Sequence, residues 1–436
     1  MSGSPNDTRT REVIVIGGGI AGIQAALDIA GHGIQVHLVE REPSIGGHMA
    51  QLDKTFPTND CSMCILSPKM AEVARHPFVT VHTCAEVEEV SGVAGDFLVK
   101  VRKHPRYVIE KDCTGCGDCI EVCPVEVYNR FDAGIGVRKA IYKPHAQAIP
   151  DVVVKDAEHC IECGLCYDVC GPDAIMKEDT GSMMEIRATA IVIATGYRIF
   201  DASEREQFGY LRLPDVITSL EFERMLSASG PTCGEIRRLS DGREPGSIVF
   251  VQCVGSREPA RGRNLCSCVC CMSAMKNALL VREKHPEIDI TICYMDIRAY
   301  GKGYEEYYER AKAAGVKFVR GMPADVIEEA GRVAMYVEDT ETGEISVLHP
   351  ELVVLSVGLE PASGTEELAA RLGLTCEDSG FMRPADEKLG TVLTCRPGIY
   401  LAGTVVAPKD IPDCVAHGGA AAMKAFLDSI QECADE

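Results

Sequence analysis

The chain has 436 residues with 44 Lys and Arg against 65 Asp and Glu, a net charge of −21, and such an excess excludes docking on a nucleic-acid backbone through a basic face. Hydrophobic residues make up 46% and charged residues 25%, which excludes wholesale disorder and predicts roughly two to four domains. No apolar run approaches the ~18 residues of a membrane span, and the polar start MSGSPNDTRTR is expected not to be a signal peptide, so the expected location is cytoplasmic.

In REVIVIGGGIAGIQAALDIAGHGIQVHLVERE, the apolar run Val13 to Ile16 predicts a buried parallel strand. Gly17, Gly19 and Gly22 then satisfy G-x-G-x-x-G at the start of a helix. A second strand, Val36 to Val39, ends at Glu40, 21 residues after Gly19. That order predicts an adenine dinucleotide: the glycines admit the pyrophosphate to the helix N-terminus, and Glu40 accepts from ribose hydroxyls. A bare β-turn-α unit without ligand is the alternative. Asp96 to Lys103 reads as a strand, and Ile186 to Tyr197 as a buried strand ending in Thr195-Gly196. Residues 230–246 read as an exposed linker. From Ser247 a second Rossmann-like unit is expected, with strand IVFVQC, helix SAMKNALLVREK, strand DITICYM, helix YEEYYERAKAAG and strand LVVLSVG. Gly398 to Leu427 reads as strand, loop and small-residue helix, placing Gly403 and Asp413 near the cofactor.

These segments resemble the thioredoxin reductase and disulfide reductase flavoproteins, and that resemblance implies FAD rather than NAD. The candidate contacts are Gly17, Gly19, Ile20, Ala21, Gly22, Glu40, Arg41, Gly47, Thr195, Gly196, Gly403 and Asp413.

The 22 cysteines, with no export signal expected, point to metal ligands or redox thiols rather than a disulfide framework. Cys113, Cys116, Cys119 and Cys123, followed by Pro124, follow C-x2-C-x2-C-x3-C-P, and Cys160, Cys163, Cys166 and Cys170 repeat the spacing. In this bacterial ferredoxin pattern the fourth cysteine of each run ligates the other [4Fe–4S] cluster. The sets are therefore Cys113, Cys116, Cys119 with Cys170, and Cys160, Cys163, Cys166 with Cys123. A pair of zinc sites is the competing reading. Two departures are Gly171 before Pro172 and the long spacer from Pro124 to His159. A third group, Cys253, Cys266, Cys268, Cys270 and Cys271, occupies the turn where a reductase would open its NAD(P)H unit. Of the expected glycine fingerprint only Gly255 survives for pyrophosphate approach, whereas clustered thiolates suit iron–sulfur or zinc. A third [4Fe–4S] cluster beside the flavin is expected, with buried thiols or a redox disulfide as alternatives.

The motifs GGGIAG, NDCSMCILSPKM, CTGCGDCIEVCPVEVYNRFDAGIGVRKAIY, CIECGLCYDVC and VQCVGSRE…CSCVCCMSAMKNA together resemble the HdrA-like family, the iron–sulfur flavoprotein subunits of heterodisulfide reductase, in a short form. The resemblance implies FAD in a thioredoxin-reductase-like core, an inserted two-cluster ferredoxin, and a third cluster on Cys253, Cys266, Cys270 and Cys271, with Cys268 spare. Longer members carry an extra N-terminal domain and a C-terminal ferredoxin, neither of which is expected here. The expected fold is α/β, with two Rossmann-like three-layer units and an inserted ferredoxin α+β module. Its expected parts are FAD-binding segments at 11–103, 183–229 and 363–436, the module at 104–182, the linker at 230–246 and the second unit at 247–362. The implied function is that of an electron-transfer oxidoreductase subunit, with flavin-based bifurcation as a further implication. Implied partners are other subunits of an oligomeric complex: hydrogenase, formate dehydrogenase, disulfide-reducing or CoA-ester reductase modules. Input to a class II benzoyl-CoA reductase complex, or an NAD(P)H-dependent disulfide reductase using Cys61 and Cys64, are the alternatives.

Cys61 and Cys64 form CxxC after the first βαβ unit, read as a redox dithiol, ligands to a cluster shared with a partner, or packing thiols. Lys276, one turn beyond Cys270 and Cys271, is a candidate flavin-N5 contact or a solvated lysine. Lys69 is a weaker candidate.

Overall fold

The computed structural model describes residues 11–431; the first ten positions and the last five of the 363–436 segment lie outside the described residues. Five parallel strands form the first sheet, in the order Ile399–Leu401, Ala190–Ile193, Glu12–Ile16, Gln35–Val39 and Val79–His82. Val13 pairs with both Val36 and Ala190. Their near-continuous apolar runs suit strands covered on both faces. Val13, Val15 and Val36 pack under the helices Ile20–Ala30, Ser62–Arg75 and Ile411–Gln431, whereas Ile14, Ile16 and Ile191 face an antiparallel meander of Ala85–Val93, Asp96–Lys103 and Ser182–Ala188.

One expectation fails here. The strand expected to run unbroken from Ile186 to Tyr197 is split at Thr189: Ser182–Ala188 belongs to the meander and Ala190–Ile193 to the parallel sheet. Thr189 crosses between the layers, held by its backbone N–H (2.8 Å) and hydroxyl (3.1 Å) on the Glu12 carbonyl.

The cysteine-rich module enters and leaves at one cross-strand pair, Lys103 and Ser182. Its small core of Val108, Cys119, Ile141, Val153 and Ile175 packs against Cys113, Cys123, Cys166 and Cys170. The long spacer contributes the hairpin Glu126–Tyr128 with Val137–Lys139 and docks back on the first unit. Gln51 donates to the Phe131 carbonyl (3.0 Å), and the Ile149 N–H donates to Ser44 (2.9 Å).

The second unit repeats the design. Its sheet runs Val216–Thr218, Leu352–Val357, Ser247–Val254, Asp289–Tyr294 and Lys317–Arg320, all parallel. The helices Ser219–Leu226, Cys270–Lys284 and Tyr304–Ala313 cover one face. A meander of Pro323–Glu329, Arg332–Asp339 and Glu344–Leu348 covers the other. The unit therefore begins at Val216, not at Ser247, because Val216 pairs with Val353. Residues 230–246 interrupt this unit instead of preceding it; they are largely exposed, apart from residues such as Ile236, which is buried in the core. Three residues, Val-Ile-Thr, are too short a run to declare a strand by pattern. Tyr197–Ile199 pairs with Leu359–Pro361 where the chain passes between the units.

Arg224 ties these parts together while almost wholly buried. Its Nε donates to Asp132 of the module (3.0 Å) and its Nη1 to the Gln51 carbonyl (3.0 Å). Arg224→Met should leave Asp132 buried and unpaired, at a cost of about 3–5 kcal/mol, read as an earlier denaturant midpoint of the holoprotein. Burial also depresses His82, His145 and His417 to about 4 each. The unfolded chain takes up those protons near pH ~6.5, so stability should be level above that pH and fall as pH drops toward 4. Thermal melts across this range check the sign.

Candidate functional site

A cavity of about 1480 Å³ lies between the two units and the module. At one end are Gly17, Gly19, Ile20 and Ala21 of the glycine turn, with Glu40 and Arg41 beyond the second strand. Gly17 has φ +107°, and a Cβ there would lie 2.3 Å from the Ala194 carbonyl oxygen. A Cβ on Gly22 would meet the Gly17 carbonyl oxygen at 1.9 Å. These two glycines let helix and sheet close on each other. Gly19 has nothing within 4 Å, and it caps the first helix with no side-chain bond to the helix N–H groups. That leaves an open, positively polarised helix end facing the cavity. Glu40 accepts from the Gly18 N–H (2.6 Å) and the Glu42 N–H (2.8 Å), and burial raises its carboxyl above the ordinary range.

Four buried polar atoms in residues of the cavity wall have no hydrogen-bond partner: Asn277 Nδ2 and Oδ1, Thr195 Oγ1 and His145 Nδ1. Buried polar groups are nearly always paired, so the wall fits a large polar ligand such as FAD.

Of the expected contacts, Gly17, Gly19, Ile20, Ala21, Glu40, Arg41, Gly47, Thr195 and Gly196 line the cavity. Gly22, Gly403 and Asp413 do not. Gly403 packs beneath Ala21, where its Cβ would fall 2.7 Å from the Ala21 Cβ, and Asp413 is exposed. From that loop, Thr404, Lys409, Asp410, Ile411, Pro412 and Cys414 reach the wall instead. The spacer also lines it, through residues including Tyr128, Phe131, Arg138 and His145. The ferredoxin spacing had marked the spacer only as an anomaly; its density of aromatic and basic residues is the signal that could have pointed to a binding wall.

The cysteines gather in three places. Burial, then repulsion from Cys116, Cys113, Cys170 and Cys166, pushes Cys119 up to about 12. Cys123 lines a small cavity with Cys160, Cys163 and Cys166. Among the described residues no three cysteine sulfurs lie within 4.8 Å of one another. A four-thiolate zinc with Zn–S of about 2.3 Å draws its sulfurs to roughly 3.8 Å.

In the second unit, the strand Ser247–Val254 carries a bulge between Val251 and Val254, with Cys253 at φ +60°. Cys270 and Cys271 open the helix Cys270–Lys284. Burial first, then Cys271 and Cys266, raises Cys253 to about 11, while Arg257 opposes them. Cys270 is raised by burial and by Cys253, Cys271 and Cys266. Cys270 also lines the large cavity. Cys268 sits at φ +62° and hydrogen-bonds Cys266, an interaction that lowers the Cys266 thiol and raises its own. The turn after the strand is filled: a Cβ on Gly255 would lie 2.1 Å from the Phe200 ring. Sequence reasoning missed Phe200, which lies 55 positions from that turn.

Lys276 lines the cavity but is 1% exposed and not solvated. Its Nζ donates to Glu223 (2.5 Å) and to the Lys54 carbonyl (3.1 Å). Lys69 donates to Gln24 (2.8 Å). Cys61 and Cys64 are disulfide-bonded and lie outside the cavity wall.

Two family models match: an FAD-dependent oxidoreductase over residues 12–128 and a 4Fe–4S dicluster domain over 112–175. The fold is that of thioredoxin reductases. The T. acidophilum enzyme superposes with a TM-score of 0.53 at 15% identity, covering 96% of this chain and 99% of that one. The class is thus an FAD-dependent oxidoreductase fold with a 4Fe–4S dicluster domain.

Among curated proteins, an iron–sulfur subunit of the CoB–CoM heterodisulfide reductase of Methanocaldococcus jannaschii is 52% identical over 424 residues, 97% of this chain and 64% of that protein. A subunit of the same name in Methanopyrus kandleri is 54% identical over 419 residues, 95% of this chain and 64% of its own length. The chain is homologous to these heterodisulfide reductase iron–sulfur subunits along nearly its whole length and spans about 64% of theirs; the resemblance read from the motifs is borne out. No helix among the described residues is long and apolar enough to cross a membrane.

Gly19→Ala tests the ligand apart from the fold. Its Cβ meets no protein atom within 4 Å, so stability should stay within about 1 kcal/mol of the parent. The flavin absorbance of the purified protein should fall, because the added Cβ takes space that the pyrophosphate needs.

Proposed function

We propose that the chain is the FAD- and iron–sulfur-containing electron-transfer subunit of a multi-subunit oxidoreductase, with one FAD and three [4Fe–4S] clusters. The supporting observation is Cys270: it belongs to the cysteine group that stands in place of a nicotinamide site, and it also lines the flavin cavity. FAD supplies the exchange between paired and single electrons, and clusters span a wide range of potentials. The first cluster would be held by Cys113, Cys116, Cys119 and Cys170, the second by Cys123, Cys160, Cys163 and Cys166, and the third by Cys253, Cys266, Cys270 and Cys271. Gly17, Gly19 and the first helix end would receive the pyrophosphate and Glu40 the ribose. Lys276 and Glu223, as a closed ion pair, fix the wall between cavity and cysteine helix. The module and the third cysteine group both border the cavity, an arrangement that offers two exits and so accommodates bifurcation.

The relatives are named as subunits of heterodisulfide reductases, one of them as part of a hydrogen-dependent heterodisulfide and ferredoxin reductase. A disulfide-reducing complex of this kind, oligomeric and fed by a hydrogenase-, formate dehydrogenase- or CoA-ester-reductase-type partner, is our reading of the chain's setting. The thiol-rich composition supports a reducing, cytoplasmic one. A free-standing NAD(P)H disulfide reductase is disfavoured by Phe200, which packs on the glycine that opens the second turn.

Anaerobically prepared protein should contain about twelve irons per FAD, four per cubane. Cys253→Ser and Cys271→Ser should each lose about a third of the iron and acid-labile sulfide, with the flavin retained. About eight irons in the parent, or prompt bleaching by NADPH alone, contradicts the assignment.

A further inference from the structure

Three lysines line the cavity, Lys54, Lys276 and Lys409, and Lys54 acts on the carboxyl of the adjacent Asp53. Lys276 is neutralised by Glu223. Lys409, also in the wall, has no such partner: it is partly buried, and among the described residues its Nζ makes no ion pair or hydrogen bond. The neighbouring carboxylate is engaged elsewhere. Asp410 accepts from the Tyr304 hydroxyl (2.6 Å) and from the Asp413 N–H (2.9 Å), which makes it the cap of the last helix. Burial pulls Lys409 below the ordinary lysine range, opposed by Cys414, Asp413 and Cys268. An ammonium half out of water and without a counter-charge is costly unless a ligand supplies one.

Its position says which part of a dinucleotide that is. The acidic residue after the second strand takes the adenosine ribose, so the redox ring belongs at the far end. Lys409 lies within electrostatic reach of Cys414 and of Cys268, a member of the third cysteine group, which stands where a reductase would hold its nicotinamide beside that ring.

We propose that Lys409 is the cationic contact that holds the negative charge gained by the flavin ring on reduction. The proposal rests on the flavoprotein reading above and gives that ring its charge partner. Two electrons from an external reductant and one proton from solvent give a ring of net charge −1; Lys409 stays protonated and transfers nothing. The helix Ile411–Gln431 begins two residues later, so its positive end adds to the same field. In a partly dry cavity this attraction exceeds its value in water. Lys276 cannot take this part while Glu223 holds it.

The test is a dithionite redox titration of the anaerobic holoprotein, with the flavin followed by absorbance and the clusters by electron paramagnetic resonance. Lys409→Met should keep its FAD and favour the reduced anion at least tenfold less, a two-electron potential about 30 mV more negative. Lys409→Arg should stay near the parent, and cluster signals should be unchanged in both. Lys409→Gln keeps a polar head and gives the same reading if the methionine variant sheds its cofactor. An unshifted flavin in the methionine or glutamine variant, or an arginine variant displaced as far as they are, overturns the assignment. A parent protein with no flavin to titrate instead defeats the flavoprotein reading itself.

Discussion

The molecule is organised by how closely the first helix lies against its neighbours. Gly22 leaves room for the Gly17 carbonyl, and Gly418 leaves room for the Ala21 carbonyl, 2.5 Å from where its Cβ would be. One short helix is thereby clamped between the first strand and the last helix, elements contributed by opposite ends of the chain. The clamp sets both the open helix end at Gly19 and the loop of Lys409 in the cavity wall. The close approach depends on the absence of two side chains, at Gly22 and Gly418.

The parts legible in the sequence were those written locally. The first strand-turn-helix-strand could be read because its pattern changes period from 2 to 3.6 around a glycine turn. The cysteine runs could be read because loops that wrap a cubane fix their spacing. What escaped was tertiary. Thr189 breaks an apolar run because it crosses between two layers. Val216–Thr218 joins the second sheet across a long excursion, and the second meander was not foreseen. Asp413 was chosen as the flavin contact, yet Asp410 caps that helix and Lys409 faces the cavity. Lys276, expected as a flavin contact or a solvated lysine, lines the wall, and nothing around it in sequence names Glu223, 53 positions away, as its partner.

The cysteine groups sit in different electrostatic surroundings. Around the third, Arg257 pairs with Asp296 and reaches Cys253, and Arg298 lowers Cys266. Guanidinium groups there offset the charge of a chain that is otherwise acidic. In the module, Cys116 and Cys163 are exposed. Solvent access, burial and charge tune metal centres of one ligand type; in the third group Cys253 and Cys271 are buried beside guanidinium groups, whereas each cysteine run of the module has one exposed member.

The hairpin tip at Lys103 and Ser182 has a counterpart within the same chain. In the second meander the corresponding pair, Asp339 and Glu344, is closed by residues 340–343. The two units thus preserve both forms of one junction, a bare turn and a turn expanded into a metal-binding module. Splicing at a point where both ends already touch leaves every strand in register, so a flavoprotein scaffold can acquire wiring there without being rebuilt.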